Sequence, residues 1–194
     1  MIYLFLADGF EDVEAIGTID ILRRCGLQVQ TLSVSGKRVI TSAHDIVIKA
    51  DSIFRKNHLL NCDAMIFPGG LMGATTMAKN SILCQTILQQ ANRGTLIAAI
   101  CAAPMILGAA GVVKDKHVTI YPGMESYVSE GIVHNNAYVV EHENLITACG
   151  PAATRYFATT IARHLLQDTT IVEEVERGMC FTAPTTITEQ ILKF

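Results

Sequence analysis

The chain has 194 residues, enough for one domain that builds its own core, and a net charge of −3 without a basic stripe. That balance speaks against a general nucleic-acid binder. No apolar run reaches the length of a membrane-spanning helix, and the apolar start Met1–Leu6 lacks the basic region of a signal peptide. Six irregularly spaced cysteines, none in a CxxC pair, suggest free thiols in a reducing, cytoplasmic setting and no structural zinc site.

In chain order, residues 1–7 read as a buried strand ending at Asp8-Gly9. A helix over residues 12–24 follows, with Val13, Ile16, Ile19 and Leu22 as its apolar stripe, Arg23 and Arg24 in its last turn and Gly26 as its stop. Residues 27–33 read as a second strand, and residues 37–48 as two short strands turning near Ala43. Residues 64–67 form a buried strand that stops at Pro68-Gly69-Gly70. A helix over 81–92, a strand over 96–100, a helix over 102–111 and a strand over 117–120 come next. Residues 138–140 and 145–147 read as a hairpin. Gly150-Pro151 opens a helix striped by Ala153, Phe157, Ile161 and Leu165, and another helix starts near Thr169. A tail from about residue 181 to 194 ends the chain.

Strands alternating with helices predict one α/β domain over residues 1–194: a doubly wound, mostly parallel sheet with helices on both faces. In such sheets sites form beyond the carboxyl ends of the strands. Asp8 to Glu14, Pro68 to Gly73, Cys101, Tyr121 and Cys149-Gly150 all fall there.

Cys101 ends a buried strand that runs straight into a helix, the geometry of a nucleophile elbow. A helix N-terminus beside the thiol favours thiolate. Glycines at Gly69 and Gly70 expose backbone N–H groups that could serve as oxyanion donors. Glu11 and Asp12 suit a helix N-terminus on dipole grounds alone. Glu14, on a mostly apolar helix, is a candidate buried carboxyl partner for the thiol. Cys149 is a candidate resolving thiol on the same rim. His44, His58, His117, His134, His142 and His164 show no metal-ligand spacing.

The segments Ala7-Asp8-Gly9-Phe10-Glu11-Asp12-Val13-Glu14, Phe67-Pro68-Gly69-Gly70, Ala98-Ala99-Ile100-Cys101-Ala102-Ala103-Pro104 and Gly150-Pro151 together resemble the ThiJ/PfpI superfamily, in the branch of the parkinsonism-associated protein deglycase and its bacterial relatives. The resemblance spans residues 1 to about 178. It implies a flavodoxin-like fold, a homodimer, Cys101 as reactive cysteine, Glu14 as its carboxyl partner, and backbone donors at Gly70 and Ala102. It implies Glu11, Asp12 and Arg24 as dimer contacts and a basic residue reaching across the dimer, here His44. Tyr121 stands where some relatives carry a catalytic histidine, which weakens a Cys–His–acid triad, because tyrosine with a pKa of about 10 is a poor base at neutral pH. With Cys149, Gly150, Pro151 and His44 it forms the expected rim.

The implied function is a stress-related protein with a low-pKa cysteine, oxidised stepwise or adding to small carbonyl compounds, with weak cofactor-free glyoxalase or deglycase activity. The alternatives are a cysteine-dependent intracellular protease or amidase and a non-enzymatic binding or chaperone module. Oxidised or glycated protein is a further candidate partner, and no cofactor is implied.

Overall fold

The computed structural model describes residues 1–55, 59, 61–181 and 191–193. The predicted tail from about residue 181, and His58, lie almost wholly outside the described residues. The first strand is β1 (Ile2–Leu6), followed by helix α1 (Asp12–Arg24) and β2 (Val29–Ser33). The hairpin β3 (Val39–Thr41) and β4 (Val47–Lys49) is antiparallel, and β5 (Ser52–Ile53) closes this part. Then come β6 (Ala64–Phe67), α2 (Leu71–Ala78), α3 (Ser81–Ala91), β7 (Leu96–Ile100) and α4 (Pro104–Ala109). The last third holds β8 (His117–Val118), β9 (Ile132–Val133), β10 (Val139–His142), β11 (Leu145–Ala148), α5 (Thr154–Leu165), α6 (Thr170–Gly178) and β12 (Ile191–Lys193).

Among the described residues, eight strands form one sheet in the order β12-β10-β11-β7-β6-β1-β2-β5. Every pairing in it is parallel except β10 with β11. Its centre, β2-β1-β6-β7-β11, is the flavodoxin-like order, with the chain reversing direction across the sheet at β1. Strands β1, β6 and β7 are buried throughout, which is why they read as unbroken apolar runs rather than alternations. Helices α1 and α5 pack together, while α2 packs with α3 and α4. Gly17 permits the first contact: a Cβ there would lie 3.0 Å from Thr154 Cγ2. Inside, Phe5 stacks on Phe67 at 4.9 Å between ring centroids. Among the described residues, no helix is long and apolar enough to cross a membrane.

Two expectations need correction, and one helix went without an expectation. Only half of the stripe on α1 is core: Ile19 and Leu22 are buried, Val13 and Ile16 are exposed, and the buried face is Glu14, Ala15, Thr18, Ile19, Ile21 and Leu22. Burial of a carboxyl and a threonine on that face broke the apolar periodicity. The elbow helix is shorter than the predicted 102–111, because residues 101–103 form a turn before α4 begins at Pro104. Proline fits that first position because it has no N–H to leave unpaired. Residues 71–78, a helix in the structure, carried no periodic signal of their own: Leu71 and Met72 face solvent.

Candidate active site

Three strand ends build the site. Beyond β1, Glu11 caps α1, its Oε2 accepting the Glu14 N–H at 2.7 Å, and its own N–H donates to the Gly69 carbonyl at 3.0 Å. This fixes the first turn of α1 against the loop after β6. Glu14 is then turned inward and is 0% exposed. Its Oε2 accepts the Gly69 N–H at 2.7 Å, and its Oε1 is buried with no hydrogen-bond partner.

Beyond β7, Cys101 has φ 63°, a left-handed backbone that costs a non-glycine residue about 1–3 kcal/mol. The surroundings hold it there: its N–H donates to Ala148 O at 2.8 Å, and its carbonyl accepts from Tyr121 N–H at 2.9 Å. The predicted elbow is therefore present. The thiol is buried, lies against the Glu14 carboxyl, and faces the backbone N–H groups of Ala102 and Gly70.

The glycines after β6 are steric necessities. A Cβ on Gly69 would fall 2.7 Å from Cys101 Cβ and 2.7 Å from Glu14 Oε2. A Cβ on Gly70, where φ is +87°, would fall 2.2 Å from Gly9 O. Gly70 and Ala102 thus stand where donors to the sulfur belong. Gly69 does not: its N–H is spent on Glu14, which corrects its reading as an oxyanion donor.

The electrostatics also correct an expectation. Burial pushes the Glu14 pKa up to about 7, against the lowering effect of its contacts with Cys101 and the Gly69 N–H. The Cys101 thiol is pushed up as well, by burial first and then by the Glu14 charge, against smaller opposing contributions from the Ala102 and Gly70 N–H groups. Within one chain, then, the cysteine is not acidified by its surroundings. As pH rises, the first negative charge of the pair falls on the carboxyl.

The rim is partly assembled. Tyr121 is exposed and its ring borders Gly150, which is buried. Pro151 is exposed, and its carbonyl accepts the Thr154 hydroxyl at 2.7 Å. Cys149 is half-buried, follows β11 beside β7, and has its pKa raised by burial foremost. All six cysteines are free thiols. His44 is exposed and pairs within the chain with Asp12, Nδ1 to Oδ2 at 2.6 Å, an attraction that raises the imidazole pKa. Glu11, Asp12 and His44 bring ligand atoms within 4.8 Å of one another, but the cap and the ion pair already engage them. Arg24 pairs with Asp20 one turn earlier on α1 at 2.9 Å.

Comparison with known proteins agrees with this architecture. The DJ-1/PfpI family pattern matches residues 1–164. Protein dj-1beta of Drosophila melanogaster is 35% identical over 181 residues, covering 91% of this chain and 94% of the relative. The glutathione-independent glyoxalase DJR-1.2 of Caenorhabditis elegans is 30% identical over 155 residues, covering 80% and 82%. A cysteine-to-alanine mutant of a DJ-1 superfamily protein from Salmonella typhimurium superposes with TM-score 0.89 at 34% identity, covering 94% of this chain and 98% of that one. The Drosophila dj-1beta crystal structure gives 0.87 at 32% identity, covering 94% and 98%. The motifs at Glu14, Gly69-Gly70 and Cys101, the sheet order and these similarities converge: the chain belongs to the DJ-1/PfpI family.

Proposed function

We propose that this chain is a stress-related thiol protein whose Cys101–Glu14 pair reacts, without a cofactor, with small α-oxoaldehydes and with peroxides. The observation that carries this reading is Glu14: a fully buried carboxyl held near neutrality, against a thiol faced by two backbone N–H groups. A group poised near pH 7 both gives and takes a proton at working pH. The unpartnered Oε1 is the oxygen that carries the acid proton when Glu14 is neutral.

With an α-oxoaldehyde, the Cys101 sulfur adds to the aldehyde carbon and the carbonyl oxygen becomes an alkoxide. The N–H groups of Gly70 and Ala102 lie close enough to stabilise that charge, and a proton from Glu14 yields the hemithioacetal. Glu14, now a carboxylate, removes the C–H proton of that carbon. Reprotonation at the neighbouring carbon leaves a thioester, which water hydrolyses to a 2-hydroxy acid and free thiol. No outside oxidant or reductant is required. The Caenorhabditis elegans relative, named as a glutathione-independent glyoxalase, supports this substrate class. With a hydroperoxide, the thiolate attacks one oxygen, giving sulfenate and releasing an alcohol or water. A second peroxide gives sulfinate. A neutral Glu14 then donates a hydrogen bond to the oxidised sulfur.

The same reading includes a homodimer through the outer face of α1. Exposed Val13 and Ile16 there, and Val39, Ile46 and Val47 at the β3–β4 hairpin, are the apolar side chains such a contact would bury. Glu11, Asp12, Arg24 and His44 supply its charged surround.

Methylglyoxal turnover to lactate, in wild type and in Cys101→Ser and Glu14→Gln, tests the proposal. Turnover abolished by either substitution supports it. Turnover that survives Cys101→Ser, or its absence in the wild type together with ordinary peroxide reactivity at Cys101, overturns it.

A further inference from the structure

Outside the Cys101 site, folding gathers three histidines whose sequence spacing follows no metal-binding pattern. His117 opens β8, His134 follows β9, and His142 ends β10. His117 Nδ1 lies 2.7 Å from His134 Nε2. Their ring centroids are 5.0 Å apart with 17° between planes. A centroid separation that large with so short a nitrogen–nitrogen distance means the rings meet edge to edge, nearly in one plane. The in-plane lone-pair directions of the two nitrogens therefore point at each other, with room for a single proton between them. The His142 ring lies 5.3 Å from that of His117, and its Nδ1 accepts the His117 backbone N–H at 3.2 Å. That bond fixes the strand end that carries His117. All three side chains are half-buried, so the pair is held by its surroundings yet reachable from solvent.

We propose that His117 Nδ1 and His134 Nε2 form a two-imidazole site for a divalent transition-metal ion of the imidazole-preferring kind, such as Ni²⁺, Cu²⁺ or Zn²⁺. The ion takes the place of the proton the two rings share. Metal–imidazole bonds of about 2.0–2.1 Å in a tetrahedral arrangement put two nitrogens roughly 3.3 Å apart. The present pair would open by about 0.6 Å, and each ring would turn by about 35° so that both lone pairs converge on an ion lying off the line between the nitrogens. Two nitrogens and no carboxylate between them select against Mg²⁺ and Ca²⁺, which want oxygen. Nearby charge is balanced rather than prohibitive: Lys116 pairs with Glu143, and Glu141 pairs with His164. Water fills the remaining coordination positions.

The ion would join two paired strands of two residues each. Strands β8 and β9 pair over His117↔Ile132 and Val118↔Val133, extended by Ile132 N–H to Lys116 O and His134 N–H to Val118 O, each at 2.8 Å. The site is independent of the Cys101 chemistry.

Calorimetric titration of the full chain with Ni²⁺ alone tests this, in the wild type, in Cys101→Ser, in His44→Ala and in His134→Gln. One saturable equivalent is expected in the first three, with its loss in His134→Gln. Loss in Cys101→Ser or His44→Ala but retention in His134→Gln overturns the proposal, as does the absence of a saturable equivalent in the wild type. A readout that needs no variant is the ring NMR spectrum. Paramagnetic Ni²⁺ must broaden His117 and His134 before any other histidine, and broadening that starts at His44 overturns the assignment.

Discussion

Glu14 and Gly69 meet through a 2.7 Å hydrogen bond, the carboxyl Oε2 accepting the glycine N–H. The bond has two consequences. It leaves Oε1 as the oxygen free to hold a proton, and it removes Gly69 from the set of donors that face the Cys101 sulfur. Replacement of Glu14 by glutamine keeps an acceptor for Gly69 and removes the charge. Because that charge pushes the thiol up, Glu14→Gln should lower the Cys101 pKa, by on the order of one unit. Iodoacetamide labelling against pH reads this directly. Labelling of the variant at a higher pH than the wild type would mean that the thiolate, not the carboxylate, carries the charge of the native pair. Glyoxalase turnover should be lost in the same variant, since glutamine cannot exchange a proton.

The same carboxyl makes stability depend on pH. Its folded pKa of about 7 lies above the ordinary value of 4.5, so the folded state binds a proton that the unfolded state has released. The stability this contributes is fully present below pH 4.5 and is lost as pH rises through about 7. At about 1.36 kcal/mol per pKa unit, the whole window is worth about 3 kcal/mol. Denaturant unfolding at pH 5 and pH 8 should show the wild type losing stability relative to Glu14→Gln on that order. Parallel curves for the two proteins would place the proton elsewhere.

Much of this was legible beforehand because it is local. Buried parallel strands are short unbroken apolar runs, so β1, β6 and β7 stood out, and a cysteine at the end of such a run was visible as an elbow. Glu14 was found for an incomplete reason. Val13 and Ile16, which made its helix look apolar, face outward, and the carboxyl is buried because Glu11 and Gly69 lock the first turn of α1 onto β6. The contact of Glu14 with Gly69 joins residues 55 apart and leaves no trace in periodicity. The histidine pair is hidden for the same reason, since its nitrogens come from residues 17 apart. The direction of the Cys101 shift was also out of reach, because it depends on burial and on a neighbouring charge rather than on the turn itself.

The two glycines should fail differently. Gly69→Ala places a methyl group against Cys101 Cβ and Glu14 Oε2 without demanding a left-handed backbone. The chain should still fold, as judged by circular dichroism, while thiol labelling and turnover fall sharply. Gly70→Ala adds backbone strain at φ +87° to a 2.2 Å clash with the Gly9 carbonyl, so its stability should fall by more than the roughly 1–2 kcal/mol of left-handed strain alone. Equal behaviour of the two variants would contradict this division.

Peroxide treatment offers the last discrimination. The parallel ladder sets Ala148 beside Ile100, and the Cys101 N–H still donates to Ala148 O, so Cys149 follows β11 alongside the elbow. A simple continuation of the ladder would favour a Cys101–Cys149 disulfide. The positive φ at Cys101 ends that continuation. Its Cβ packs where a Gly69 side chain would begin, on the β6 side of β7, and its sulfur faces Glu14 and Gly70, while β11 lies on the other side of β7. The Cys101 thiol is thus engaged by Glu14 and Gly70 on the β6 side of its strand. The expected product is sulfinic acid at Cys101, two oxygens heavier by mass spectrometry, with Cys149 unmodified. A dominant Cys101–Cys149 crosslink in non-reducing peptide maps would show that the elbow swings the sulfur across β7 during oxidation, and would make Cys149 a resolving thiol.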